Sequence, residues 1–262
     1  MLSDEKSMLT IEKYLRDVRH FLDFLVDRAI SKGETISYKE HLKISYAPAS
    51  INSMLAALNS FLRFIGKTDC CVKPLRIQKQ MFCREDRELS VEEYQKLIRT
   101  EPDTRISLVI QTICGTGIRV SELQYITAEA VQSGRAIVNC KNKMRVIFIP
   151  ASVQKLLRLY MRKNGIKTGT VFVTRNGKPL NRRNIWRDMK VLCKKAGVSA
   201  NKVFPHNLRH LFARTFYGVE KDIVCLADLL GHSSIDTTRI YTMEKGEKHR
   251  LCLKRVEEIL MT

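Results

Sequence analysis

The sequence predicts a mainly α-helical protein with one small β-sheet: an N-terminal helical bundle followed by a larger mixed α/β domain. Three observations carry this. Apolar residues recur at helical spacing through most of the 262 residues. Two runs rich in Ile and Val flank a short polar turn between residues 136 and 149, which reads as a β-hairpin. A charged, aperiodic stretch, PLRIQKQMFCREDRE, separates the two halves. The expected organisation is a helical domain over 1–73, a linker over 74–88 and a second domain over 89–262.

In the first domain, Ile11, Leu15, Val18, Leu22, Leu25 and Val26 mark a helix over Ile11–Ala29, with Thr10 as its N-cap and Gly33 closing it. Ser37–Leu42 reads as a short helix. Pro48 opens a third, striped by Ile51, Leu55, Leu58, Leu62 and Ile65 and stopped by Gly66. Neither long helix can bury its stripe alone, so a bundle follows. Lys13, Arg16, Arg19 and Arg63 remain for its surface.

In the second domain, Ser90 and Glu93 form a capping-box pattern. Ile106–Cys114 reads as a helix ended by Gly115, and Arg119–Ile126 as a further helical segment. Ala136–Cys140 and Arg145–Ile149 are the hairpin strands. Ser152–Lys163 is an amphipathic helix, and Thr170–Val173 a short strand before an Asn176-Gly177 turn. Helices follow over Asn181–Ala196, His206–Tyr217 and Lys221–Leu230, with Gly197 and Gly231 past two of their ends. A last helix spans about 246–259.

The chain carries 46 Lys+Arg against 27 Asp+Glu, a formal net charge of +19. Charge of this size speaks to partners rather than to fold. Nucleic acid is the leading class, because each neutralised phosphate releases counterions. The eight cysteines (Cys70, Cys71, Cys83, Cys114, Cys140, Cys193, Cys225 and Cys252) include no C-x-x-C pair. They read as free thiols in a reducing compartment, not as zinc ligands. Met1–Thr10 has no apolar signal core, and no apolar run approaches the ~18 residues of a membrane span. The expected location is the cytoplasm, with no membrane partner.

Four segments of the second domain hold groups suited to phosphate chemistry: Thr116-Gly117-Ile118-Arg119-Val120-Ser121-Glu122-Leu123, Cys140-Lys141-Asn142-Lys143-Met144-Arg145, Pro205-His206-Asn207-Leu208-Arg209-His210, and Leu230-Gly231-His232 with Tyr241 nine residues on. Arg119 follows two glycines, where a sharp turn can present its guanidinium to a phosphate. Glu122, three residues on, shares a face with Arg119 and can hold it. His206 and Arg209 face one way from a helix N-terminus that favours an anion, while His210 is expected to point into the fold. Tyr241 is a weak nucleophile by itself, with a reference pKa of about 10, and needs a base or cationic surroundings. Taken singly, each of these reads as an ordinary structural or solvated residue.

In combination, the order Arg … Lys … His-x-x-Arg … His … Tyr, with G-x-R-x-x-E-L, H-x-L-R-H and L-G-H-x(8)-Y, resembles the tyrosine recombinase family of phage integrases and Xer-type site-specific recombinases. The match covers the second domain, and the first 70 residues are similar to the family's SAM-like core-binding domain. The resemblance implies a DNA-cutting and DNA-rejoining enzyme that works through a 3′-phosphotyrosine without metal or nucleotide cofactor. It implies Tyr241 as nucleophile, Arg119 and Arg209 as the phosphate clamp, His206 as handler of the tyrosine proton and His232 as donor to a phosphate oxygen. Lys141 would protonate the leaving oxygen. The family's turn usually reads G-K-G-x-K-x-R; here it is one residue shorter and lacks glycine, which leaves Lys143 as a competitor for that role and otherwise a DNA contact beside Lys13, Arg16 and Arg63. Implied partners are double-stranded DNA with specific recombination sites, three further copies in a homotetramer docked through the C-terminal helix, and accessory DNA-bending proteins. Type IB topoisomerases use a similar residue set; the separate N-terminal helical region and the L-G-H segment favour a recombinase.

Overall fold

The computed structural model describes residues 7–77, 88–140, 143–174, 176–232, 234–238 and 257. The chain divides into two compact units, Met1–Gln80 and Met81–Thr262.

The first unit contains helices α1 (Met8–Leu25), α2 (Lys32–Ser45) and α3 (Pro48–Phe64), then a 3-10 turn at Thr68–Cys70. Ser7, not Thr10, caps α1 by accepting from the Thr10 N–H. This helix stops four residues before the expected end. Val26 and Asp27 adopt φ of 41° and 59°, and the Arg28 guanidinium bonds the carbonyls of Phe24 and Leu25 at the helix end. Gly33 consequently lies in the first turn of α2, which Ser31 caps. α2 is longer than its sequence pattern suggests, because only Thr35, Tyr38 and Leu42 of its residues are buried. Tyr38 and Leu42 join Phe21, Leu25, Leu55 and Leu62 in this unit's core. Part of the stretch expected to be linker is pinned to α3. Asn52 accepts from the Leu75 N–H at 2.7 Å and donates to the Leu75 carbonyl at 2.9 Å, and Asn59 does the same for Val72. The remainder, 78–87, lies outside the described residues.

The second unit starts with α4 (Val91–Thr100), whose Ser90–Glu93 capping box is formed on both sides. α5 (Arg105–Thr116) is the central helix, packed against α4, α7, α8 and α9. It runs through Gly115 instead of stopping there. A Cβ at Gly115 would sit 2.7 Å from Val153 Cγ2, so this glycine serves close packing. Gly117, at φ 65°, ends the helix. A 3-10 segment (Val120–Tyr125) and α6 (Ala128–Ser133) lead to the antiparallel pair β1 (Arg135–Cys140) and β2 (Lys143–Phe148), with Ile137 opposite Val146. Ala136, Val138 and Ile147 are buried, while Ile137, Val146 and Phe148 face outward. Then come α7 (Ala151–Lys163), α8 (Arg182–Ala196), α9 (Pro205–Glu220), α10 (Ile223–Leu230) and a 3-10 turn at Ile235–Thr237. The strand expected at Thr170–Val173 makes only isolated bridges, Thr127 with Thr170 and Val173 with Pro179. The helix expected over 246–259 lies outside the described residues, apart from 257. Among the described residues no helix is long and apolar enough to cross a membrane.

Candidate active site

The site is assembled where helices end. Gly117 turns the chain out of α5 with a positive φ, and a Cβ there would meet the Phe212 ring of α9 at 2.4 Å. The turn delivers Arg119 to the start of the 3-10 segment. Glu122, fully buried, accepts from the Arg119 backbone N–H at 2.8 Å and from its Nη1 at 3.0 Å. The same carboxylate accepts from Arg145 Nη2, which reaches in from β2. Burial alone would push the Glu122 carboxyl up. The Arg119 amide and the adjoining Arg145 and Arg119 guanidiniums outweigh it and hold the carboxyl below its usual range.

Arg209, one helical turn into α9, is 3 % exposed. Its Nη1 donates to the Gly117 carbonyl at 2.6 Å, and its Nη2 donates to the Leu230 carbonyl at 2.7 Å. Nη2 also lies 3.0 Å from His232 Nε2. Arg119 Nη2 reaches the Gly231 carbonyl at 3.4 Å, and Arg145 Nη1 bonds the Leu229 carbonyl. Carbonyls at the C-terminal ends of α5 and α10 thus hold three guanidiniums, where the helix dipoles are negative. His232 is fixed on its other side by Thr238 Oγ1, 2.9 Å from Nδ1.

Burial and the charges of Arg209, Arg119, Arg145 and His206 push the His232 pKa down to about 4. His206 is lowered by burial, then by Arg209, Arg119 and Arg182. Both expected arginines therefore act on both expected histidines. His210 does not point into the core as expected. It is half-buried, its ring meets His206 edge-on, and the two Nε2 atoms are 3.1 Å apart. Burial, His206, Arg214 and Arg209 bring His210 down to about 4.

Of the residues expected to act together, Arg119, Glu122, His206, Arg209 and His232 converge in this unit. Lys141 and Tyr241 lie outside the described residues. Lys143 begins β2, paired with Cys140. Lys13 and Arg16 sit on α1 and Arg63 on α3 of the first unit. Lys13 and Arg16 both pair with Asp17, which is 5 % exposed. They line an open groove of about 610 Å³ with His20, Tyr46 and Ser50. Among the described residues no group of three or more His, Cys, Asp or Glu is arranged to hold a metal ion.

Sequence reading passed over Arg145. Its signal was available, because it shares the strand parity of Ile147 and so occupies an inward position on β2. Thr238 offered no such signal; its role depends on the fold of the 3-10 turn.

Known proteins are similar to this chain in sequence and in fold. Residues 87–248 match the Phage integrase family, and residues 1–67 match the Phage integrase, N-terminal SAM-like domain. The tyrosine recombinase XerA of Thermococcus kodakarensis is 31% identical across 97% of this chain and 91% of its own length. The tyrosine recombinase XerC of Roseiflexus castenholzii is 29% identical across 92% and 85%. The crystal structure of XerA recombinase superimposes with a TM-score of 0.55 at 26% identity, covering 97% of this chain and 94% of that one. A λ integrase dimer bound to a COC′ core site gives 0.70 at 19% identity, over 90% and 89%, which shows a shared fold. The chain belongs to the phage integrase family and is a tyrosine-type site-specific DNA recombinase.

Proposed function

We propose that Tyr241 attacks a DNA phosphodiester held by Arg119, Arg209 and His232. The Tyr241 oxygen bonds to phosphorus as the bond to the 5′ oxygen breaks, leaving a 3′-phosphotyrosyl link and a free 5′ hydroxyl. His206 accepts the phenolic proton. Its depressed pKa keeps it neutral near pH 7, the form a base requires. Lys141 protonates the leaving 5′ oxygen, with Lys143 as the competing donor. A 5′ hydroxyl from another strand then attacks the phosphotyrosine and reseals the backbone, so bond energy is conserved and no nucleotide or metal cofactor is invoked.

The observation that carries this reading is the buried Arg209 set 3.0 Å from His232 Nε2, with the charge of Arg119 reaching His232 as well. Cations fixed before substrate arrives stabilise the charge that develops on the phosphate oxygens without reorganising solvent. Each such donor is worth on the order of 3 kcal/mol in the transition state.

In this reading the domain spanning 1–73 grips double-stranded DNA at a specific recombination site, using Lys13, Arg16 and Arg63. The segment over 246–259, apolar at Leu251, Leu253, Val256 and Ile259, docks onto a neighbouring copy in a homotetramer. Accessory DNA-bending proteins shape the complex, and the protein works in the cytoplasm. The structures of λ integrase as a tetramer on a Holliday junction and of XerH on its difH substrate support the assembly by analogy.

The test is a nicked suicide substrate, which traps covalent protein–DNA adducts. Wild type is expected to accumulate an adduct and Tyr241→Phe to form none; an adduct that persists in Tyr241→Phe refutes the nucleophile.

A further inference from the structure

We propose that Arg145 is a positioning residue that ties three remote stretches of chain into one phosphate-binding geometry: the β-hairpin, the Arg119–Glu122 turn and the Leu229–His232 turn. The inference rests on the catalytic reading above and adds to it a residue outside the nucleophile, clamp and proton donors.

Arg145 points inward from β2, with its side chain 13% exposed. Nη2 pairs with the Glu122 carboxylate, which holds Arg119 through its backbone N–H and its Nη1. Nη1 bonds the carbonyl of Leu229, three residues before His232. The aliphatic stem passes directly over Gly231. A Cβ at Gly231 would lie 2.4 Å from Arg145 Cδ and 2.9 Å from Nε. Gly231 therefore supplies more than its positive φ of 62°, since its missing side chain is the space through which Arg145 passes. Arg145 consequently touches both the support of Arg119 and the turn that carries His232, and does so from a third stretch of chain, the β-hairpin. The planar fork matters. Two acceptors lie on different segments, and a single ammonium on a flexible stem cannot satisfy both with fixed geometry.

The alternative is that Arg145 merely balances the buried charge of Glu122 and so stabilises the fold. The two roles separate in a single-turnover assay on the suicide substrate with protein in excess, alongside DNA affinity and thermal melting. Arg145→Lys keeps the charge. It is expected to remain folded and to bind DNA as wild type does, yet to cleave about a hundredfold more slowly, the size of loss that small misplacement of reacting groups brings. Arg145→Ala is expected to cleave as slowly, and added guanidinium ion should restore part of the rate where equimolar urea does not. Gly231→Ala should be slow by itself, while adding it to Arg145→Ala should slow cleavage far less than it slows the wild type, because only the backbone strain of the positive φ is left once the clash is gone.

Arg145→Lys cleaving at the wild-type rate overturns the proposal, even if Arg145→Ala fails to fold. So does a loss of rate fully accounted for by lower DNA affinity or by unfolding. A wild-type protein that forms no adduct fails the catalytic reading instead, so the two failures are distinct.

Discussion

Arg209 and His232 set each other's hydrogen-bonding state. Nη2 of Arg209 lies 3.0 Å from Nε2 of His232. A guanidinium has donors and no acceptor, so Nε2 must receive the bond through its lone pair. In the DNA-free protein the ring proton then resides on Nδ1 and is donated to Thr238 Oγ1 at 2.9 Å, and holding a phosphate oxygen requires a proton on Nε2 once Arg209 turns to the substrate. Nitrogen-15 NMR of the DNA-free protein at pH 7 should show a neutral His232 with an unprotonated Nε2 and a protonated Nδ1. Thr238→Val should cost about 1 kcal/mol of stability by leaving Nδ1–H unpartnered. A protonated Nε2 in that spectrum would contradict the assignment.

Acid should destabilise the second unit in two stages. His210 and His232, both near 4 when folded, stay neutral in the native state while their unfolded counterparts, near 6.5, take up protons. The unfolded state binds more protons between those values, so stability falls as pH drops from about 6.5 towards 4, by at most about 1.4 kcal/mol per unit of depression for His210 and by less for His232, which solvent screens more. Below the usual carboxylate range, Glu122 must also be protonated, and its ion pairs are lost. Urea unfolding at a series of pH values measures this, and His210→Phe should flatten the first stage. An unchanged slope in that variant would exclude His210 as a source.

Glu122 is one carboxylate serving two guanidiniums. Glu122→Ala should cost about 3–5 kcal/mol, the usual consequence of stranding buried charge. Glu122→Gln retains one acceptor oxygen and should cost less. Both should slow cleavage, because Arg119 loses its support. Melting temperature and single-turnover rate, measured together, check the ordering.

Gly117 and Gly66 permit a matched comparison. Both have positive φ, 65° and 76°, but a Cβ at Gly117 meets Phe212 whereas Gly66 faces open space. Gly66→Ala should lose only the backbone term, about 1 kcal/mol. Gly117→Ala should lose a further 1–3 kcal/mol, roughly the cost of overpacking, and should displace the carbonyl that holds Arg209. Equal losses in thermal melts would show that the Phe212 contact is easily relieved.

Lys141 and Lys143 are separable by leaving-group chemistry. A 5′-phosphorothiolate needs no proton on departure. Lys141→Ala should be slow on ordinary DNA and fast on the sulfur substrate, with Lys143→Ala near wild type on both. The opposite pattern assigns the role to Lys143.

Much of this arrangement was legible in the amino-acid order, for local reasons. The Ser90–Glu93 capping box and the Gly197 and Gly231 helix stops are short-range devices, readable within one turn. The Ile- and Val-rich runs flanking a short polar turn across 136–149 revealed the hairpin. What escaped was determined by distant partners. Val26 takes a left-handed conformation that its β-branched side chain disfavours, and no neighbour in sequence announces it. The burial of Asp17 depends on the surrounding bundle. Arg145 could be recognised as facing inward, but its partner Leu229 lies 84 residues away. Gly115 resembled a helix stop because a glycine that admits a neighbouring helix and one that ends its own look alike in sequence.

Four main-chain oxygens, on Gly117, Leu229, Leu230 and Gly231, grip the three guanidiniums. Replacing a side chain leaves such an anchor in place. An alanine scan through residues 229–230 would therefore register packing alone and pass over the groups that hold Arg145 and Arg209. Deleting or inserting a single residue there would instead rotate the Leu229, Leu230 and Gly231 anchors out of register at once. The anchoring role of this turn therefore constrains its length, while its side chains are constrained separately, by the space Arg145 needs at Gly231 and by the burial of Leu230.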